Sequence, residues 1–176
     1  MRIVSGAARG RRLVAPSGRA TRPTSERVRE AVFDILGSLG GVEGYEVADL
    51  FAGSGAMGLE ALSRGAVHAT FVENDRAASS VIEQNLAATG LGPARVVRSD
   101  VVAFLRGRPT VAAPYDVAFC DPPYRFSGWV ELLELVPARV LVTESDTGVA
   151  AVSGRPLIRS RRYGGTVVEL FGEPSR

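Results

Sequence analysis

The sequence predicts an α/β fold: a central, mostly parallel sheet with helices on both faces and an antiparallel hairpin at its C-terminal end. Three observations predict it. Between residues 46 and 144, short β-branched runs alternate with amphipathic stretches, and parallel neighbours need a helical crossover between them. The first run is followed by a glycine-rich turn, Gly53-Ser54-Gly55-Ala56-Met57-Gly58. The last two runs, Leu157 to Arg162 and Thr166 to Phe171, flank Tyr163-Gly164-Gly165, which is a hairpin signal.

The elements follow in order. Arg2-Ile3-Val4-Ser5-Gly6 and Arg11-Arg12-Leu13-Val14-Ala15, joined by a glycine-arginine turn, predict a small N-terminal β-hairpin extension. After Arg22-Pro23, Thr24 or Ser25 can cap a helix in which Val28, Val32, Ile35, Leu36 and Leu39 recur at helical spacing until Gly40-Gly41. Strands are expected at Val47 to Phe51, Ala69 to Glu73, Arg95 to Arg98, Val117 to Cys120 and Val140 to Glu144. Helices are expected near 56–64, 75–89, 101–106 and 128–136, with loops at 107–114 and 146–156. The expected division is a basic arm over 1–23 and a body over 24–176.

The chain has 176 residues, 45% of them hydrophobic, enough for one domain with a real core. No apolar run approaches the roughly 18 to 20 residues that cross a bilayer, and the first residues lack the hydrophobic stretch of a signal peptide. A cytoplasmic protein, monomeric by default, is expected. One cysteine and one histidine, Cys120 and His68, cannot make a disulfide or the usual zinc or iron ligand set, so no metal is expected. His68, between a helix and a strand, reads as a surface residue.

All 21 basic residues are arginine, and the net charge of +2 is unevenly spread. Residues 1–29 hold eight arginines (Arg2, Arg9, Arg11, Arg12, Arg19, Arg22, Arg27, Arg29) against Glu26, leaving +7 there and −5 elsewhere. A solvated basic face is the bland explanation. Clustering favours a polyanion instead, because guanidinium groups grip phosphates with two bonds and phosphate contacts supply sequence-independent affinity.

The turn after the first strand carries glycines at the GxGxxG positions, where backbone bends sharply and can approach a ligand. Twenty residues past Gly53, Glu73 ends the second strand, and a carboxylate there can accept both ribose hydroxyls. An adenosine cofactor is expected. Asp100, after the third strand, can accept from an adenine amino group or cap the following helix.

The fourth strand ends in Cys120-Asp121-Pro122-Pro123-Tyr124. Two prolines stop the strand and fix the backbone. Asp121 and the Pro122 carbonyl can then accept N–H bonds from a planar exocyclic amine, favouring the pyramidal form that attacks an electrophile. Tyr124 can stack on the ring.

These motifs resemble a known family. DLFAGSG with Glu73 and Asp100 is similar to the S-adenosylmethionine site of Rossmann-like class I methyltransferases, and DPPY is similar to the (N/D)PP(Y/F) motif of their amino-methylating branch. RIVSGAARGRRL, RPTSERVREAVFDIL, DLFAGSGAMGLEALSRGA and RRYGGTVVELF resemble the bacterial 16S ribosomal RNA guanine-N2 methyltransferase (RsmD-like) family over nearly the whole chain. The resemblance implies rRNA methylation at the exocyclic amine of one guanine, with S-adenosyl-L-methionine as cofactor and the small ribosomal subunit or an assembly intermediate as partner. It implies that Asp49, Phe51, Gly53, Ser54, Gly55, Glu73, Asn74, Asp100, Val101 and Asp121 line the cofactor site. Asp49 falls by the methionine part, Glu73 by the ribose, and Asp100 with Val101 by the adenine. Asp121, Pro122, Pro123 and Tyr124 are expected to hold the target amine and carry catalysis. Arg22, Pro23, Thr24 and Arg27 match the family's RPT-x-x-R segment, expected near the RNA or the active-site mouth, and the clustered charge of the arm adds Arg2, Arg9, Arg11 and Arg12 as expected RNA-binding residues. The arm departs from the family in being rich in arginine where relatives often mix in lysine.

The motifs leave rivals open. DNA adenine N6 or cytosine C5 are other acceptors, the latter with Cys120 as nucleophile, and DNA binding is compatible with the arm because phosphate contacts do not separate the two polymers. A protein glutamine amide could also sit against DPPY. A nicotinamide oxidoreductase shares GxGxxG and Glu73 but gives DPPY and the arm no role. A non-enzymatic ribosome-binding module gives the retained acids none.

Overall fold

The computed structural model describes residues 1–16, 26–108, 114–123, 126–149 and 154–173. The proposed cap residues Thr24 and Ser25, together with Arg19, Arg22 and Tyr124, lie outside the described residues. Helix α1 (Glu26–Ser38) buries Val28, Val32, Phe33 and Leu36, the spacing of one helical face. Leu39, expected on that stripe, is 45% exposed. Gly41 N–H bonds back to the Leu36 carbonyl, and Gly40 and Gly41 both take positive φ, so the chain turns off the helix before Leu39 reaches the core.

The sheet contains β1 (Glu46–Leu50), β2 (His68–Glu73), β3 (Ala94–Arg98), β4 (Tyr115–Cys120), β5 (Ala138–Ser145), β6 (Leu157–Tyr163) and β7 (Thr166–Phe171), in the order β3-β2-β1-β4-β5-β7-β6. The first five strands run parallel, and β7 lies antiparallel to both β5 and β6. Helices α2 (Ala56–Ser63), α3 (Arg76–Thr89), α4 (Val101–Arg106) and α5 (Trp129–Leu135) make the crossovers. The mixed sheet, the C-terminal hairpin and every one of these elements match the sequence expectation to within two residues at most boundaries.

Alternation along the strands divides the interior in two. Val47, Phe71 and Phe119 pack with α1, α2 and α3 side chains such as Val32, Leu59 and Ile82. Ala48, Leu50, Ala118 and Cys120 pack on the other face with Val101, Leu105, Leu132 and Leu133 from α4 and α5. Strand order reverses between β1 and β4, and beyond the carboxyl ends of the strands at such a switch point is where open α/β sheets bind ligands. Leu50 pairs with Cys120, so the loops that leave β1 and β4 lie side by side.

The N-terminal segment is more intimate with the body than a free hairpin. Its two runs pair through a single antiparallel bridge, Arg2 with Arg12, because other backbone donors are taken elsewhere. Val4 and Ser5 N–H donate to Glu60 at 2.8 and 2.9 Å, and Ala8 N–H donates to Ser63 Oγ at 2.9 Å. At Gly6, φ is +81° and an added Cβ would stand 1.7 Å from the Ser63 carbonyl oxygen, so only glycine fits. Ile3, Ala8 and Leu13 are buried in the same apolar cluster as α1 and α2.

Arg29, counted with the basic arm by sequence, is fully buried and bonds Glu60 Oε2 at 3.3 Å and the Arg2 carbonyl. It ties α1 to α2 and is not a phosphate-facing charge.

Candidate active site

The loop after β1 is held by bonds from three directions. Gly53 N–H donates to Glu73 Oε2 at 2.8 Å from β2, and Asn85 Nδ2 of α3 donates to the Ser54 carbonyl at 2.9 Å. Asp49 Oδ2, within β1 itself, accepts from Gly58 N–H in the first turn of α2 at 2.9 Å. Gly55 N–H closes the turn on the Ala52 carbonyl at 2.7 Å. Phe51 has φ of 64°, uncommon for a bulky residue and a local strain that its surroundings must hold.

The glycines divide the work. A Cβ on Gly58 would stand 2.4 Å from the Phe71 ring, so this glycine lets α2 press on β2. One on Gly55, at φ +76°, would reach Ile82 and Phe71 at 3.2 Å. At Gly53 nothing comes nearer than the Phe51 carbonyl oxygen at 3.9 Å. Gly53 therefore leaves bare backbone toward open space, the feature a close-approaching ligand requires.

Three carboxylates gather at neighbouring strand ends. Asp49 is 4% exposed, and its carboxyl is pushed up to about 8, first by burial and then by the charges of Asp121 and Glu73, against the Gly58 bond. Glu73, 3% exposed, accepts from Gly53 N–H with one oxygen and from Asp75 N–H at 2.9 Å with the other. Both carboxylate oxygens are thus fixed in direction at the end of β2. The charges of Asp121 and Glu73 thus act on Asp49, and a cation placed among the three would oppose that effect.

The loop after β4 is built differently. Asp121 is half-buried, Pro122 buried and Pro123 exposed. The Pro123 carbonyl accepts from Phe126 N–H at 2.8 Å. The Phe126 ring meets Phe51 edge-on at 5.4 Å and Trp129 at 5.5 Å, which joins this loop to the one after β1 through an aromatic row. Cys120 is buried, and burial pushes its thiol far up, with Asp49 adding to the effect. A thiol held protonated is a poor nucleophile, which speaks against the cytosine C5 alternative.

Other expected site residues fall as follows. Ser54 is buried, Asn74 is exposed beside Glu73, and Val101 is buried at the start of α4. Asp100 is exposed and caps α4, accepting from Ala103 N–H at 2.9 Å. Arg2, Arg9, Arg11, Arg12 and Arg27 are all exposed; Arg11 Nη1 also donates to the Ala88 carbonyl in the last turn of α3 at 3.1 Å. Arg22 and Tyr124 lie outside the described residues. Sequence reasoning missed Phe126 and Trp129, whose signal was an aromatic pair three apart just past DPPY. It also missed Asn85 and Glu60, polar residues on otherwise apolar helix faces.

A doubly wound sheet with an antiparallel hairpin at its end, and acids gathered at its switch point, define an α/β protein of the methyltransferase fold. The chain belongs to the family described as Conserved hypothetical protein 95, which matches residues 1–172. Among its relatives, Ribosomal RNA small subunit methyltransferase D of Escherichia coli is 46% identical over 125 residues, 71% of this chain and 61% of that protein. The matched region thus spans less than two thirds of that relative's length. The Bacillus subtilis protein YlbH is 34% identical over 182 residues, covering 97% of this chain and 98% of its own. The solved structure of yhhF from Escherichia coli superposes with a TM-score of 0.85 at 36% identity, covering 100% of this chain and 99% of that one.

Proposed function

We propose that this chain transfers a methyl group from S-adenosyl-L-methionine to the exocyclic N2 amine of a guanine in 16S ribosomal RNA of the small subunit. The observation that carries the reading is the convergence of Asp49, Glu73 and Asp121 beside the bare backbone of Gly53. That donor set fits the group: a cationic sulfonium suits a cluster of acids, and a nucleoside suits an acceptor-rich strand end beside glycine. The name of the Escherichia coli relative supports the RNA assignment.

S-adenosyl-L-methionine, when bound, supplies a methyl group on a positively charged sulfur. Gly53, Ser54, Gly55 and Phe51 would bound it on the loop side, with Asp49 toward the methionine portion. Glu73 would take the ribose hydroxyls, with Asn74 beside it, and Asp100 and Val101 would meet the adenine. Asp121 and the Pro122 carbonyl accept the amine N–H groups, concentrating the nitrogen lone pair; Pro122 and Pro123 keep that pair of acceptors from rotating away. Tyr124 would be the residue to stack on the base. A paired or stacked guanine must first leave its stack to reach Asp121.

Arg2, Arg9, Arg11, Arg12, Arg22 and Arg27 would hold phosphates, with residues 1–23 serving as the RNA arm, in the cytoplasm, on the subunit or its assembly intermediate, and with the enzyme acting as a monomer. Incubation with labelled methyl donor and small subunits lacking the modification, followed by nucleoside analysis, should give labelled N2-methylguanosine. Label in N6-methyladenosine or 5-methylcytosine, or in no nucleoside, would overturn the reading.

A further inference from the structure

The buried amide of Asn85 is spent on two segments far apart in sequence. Asn85 is 1% exposed on α3. Its Oδ1 accepts from Val14 N–H at 2.8 Å, and its Nδ2 donates to the Val14 carbonyl at 3.0 Å and to the Ser54 carbonyl at 2.9 Å. A side-chain amide has two donors and two acceptor positions, so both donors are used, one on the N-terminal arm and one on the loop after β1. Ser54 is reached by the arm a second time, its Oγ lying 3.5 Å from Met1 Sδ. Arg11 adds a bond from the arm to the end of the same helix.

We propose that Asn85 is a positioning residue that makes the docked arm part of the glycine loop, so that the state of the arm sets the affinity of the loop for the adenosine ligand. The inference rests on the proposed site reading. Its physical basis is that a buried donor left without a partner is costly. If Val14 leaves, Asn85 loses two of its three partners, and its amide is free to turn away from the Ser54 carbonyl. Arginines engaged by phosphate, next to Val14 in the arm, thereby act on the loop that bears the methyl donor, and linkage makes the effect mutual.

The test is calorimetric titration with S-adenosylhomocysteine of the full chain and four variants. Val14→Pro removes the Val14 donor without changing any residue of α3 or the loop, and Val14 is 54% exposed, so little packing is lost. Asn85→Ala removes the bridge. Thr89→Val deletes a hydroxyl that bonds the Asn85 and Leu86 carbonyls on the same helix and serves as a control for general weakening of α3. Val14→Pro and Asn85→Ala should each weaken binding about tenfold, within the usual range of coupling between sites. The double variant should be no weaker than Asn85→Ala alone, since both act through one bridge, and Thr89→Val should bind like wild type. Amide exchange at Gly53 and Gly55 should quicken in both bridge variants. Wild-type affinity in Val14→Pro, additive losses in the double variant, or an equal loss in Thr89→Val would overturn the inference and leave the site reading intact. Failure of the wild type itself to bind would overturn the site reading instead. Should Asn85→Ala not fold, Val14→Pro with the exchange measurement decides alone.

Discussion

The loops that leave β1 and β4 sit side by side at the switch point, yet they are fixed by different physics. The first is fastened by hydrogen bonds from Glu73, Asn85 and, through Gly58, Asp49. The second is fixed by two prolines and by ring edges, Phe51 against Phe126 against Trp129. Hydrogen bonds of known direction set a backbone to a fraction of an ångström, which suits one invariant ligand. Covalent stiffness at Asp121-Pro122-Pro123, followed by an apolar row, holds two acceptors still while leaving a wall that can adjust. The contrast matches the proposed function, in which one partner is always the same small molecule and the other arrives as part of a large polymer.

The sharpest way to break this contrast is at the acceptor loop. Asp121→Ala should lower methyl transfer about 10²- to 10³-fold, the usual scale for losing one positioned hydrogen-bonding partner of the reacting group, while S-adenosylhomocysteine binding is kept. Titration beside a turnover assay checks it, and parallel losses would merge the two loops into one unit. Next in size, Glu73→Ala orphans the part-buried Gly53 and Asp75 amides; at about 1 kcal/mol for each lost bond, urea unfolding should show a clear loss, accompanied by weakened ligand binding.

Asp49 sharpens the comparison through pH. Its carboxyl is raised from 3.8 to about 8, so the folded chain holds a proton there that the unfolded chain releases. Stability from this group is full below about 3.8 and is lost as pH rises through about 8. Asp49→Asn keeps an acceptor for Gly58 and removes the titration. The wild type should therefore lose about 1.4 kcal/mol per pH unit relative to the variant across that window, read from urea midpoints at several pH values. The smallest effect belongs to the aromatic row: Phe126→Leu keeps apolar bulk but loses two edge contacts, costing about 1 kcal/mol. It should reduce turnover more than ligand affinity.

Much of this was legible in the sequence, and what was not shares a cause. Strand and helix positions follow from period and punctuation, and Glu73 and Asp121 could be singled out because each is a carboxylate at a strand end within a recognisable motif. Asn85, Glu60 and Arg29 could not, because their roles come from partners 27 to 71 positions away. A polar residue on an apolar helix face signals such a role without naming the partner. The arm illustrates the same limit: its pattern reads as a hairpin, but Glu60 and Ser63 compete for its donors and leave a single bridge.

The central claim is spatial, that the methyl donor lies over Gly53 with its sulfur turned toward Asp121. A crystal structure with S-adenosylhomocysteine measures it directly. The account predicts the ribose at Glu73 and the sulfur facing the Asp121 carboxylate across a gap that one planar amine fills; a sulfur turned away from Asp121, or a ligand bound elsewhere on the sheet, would contradict it.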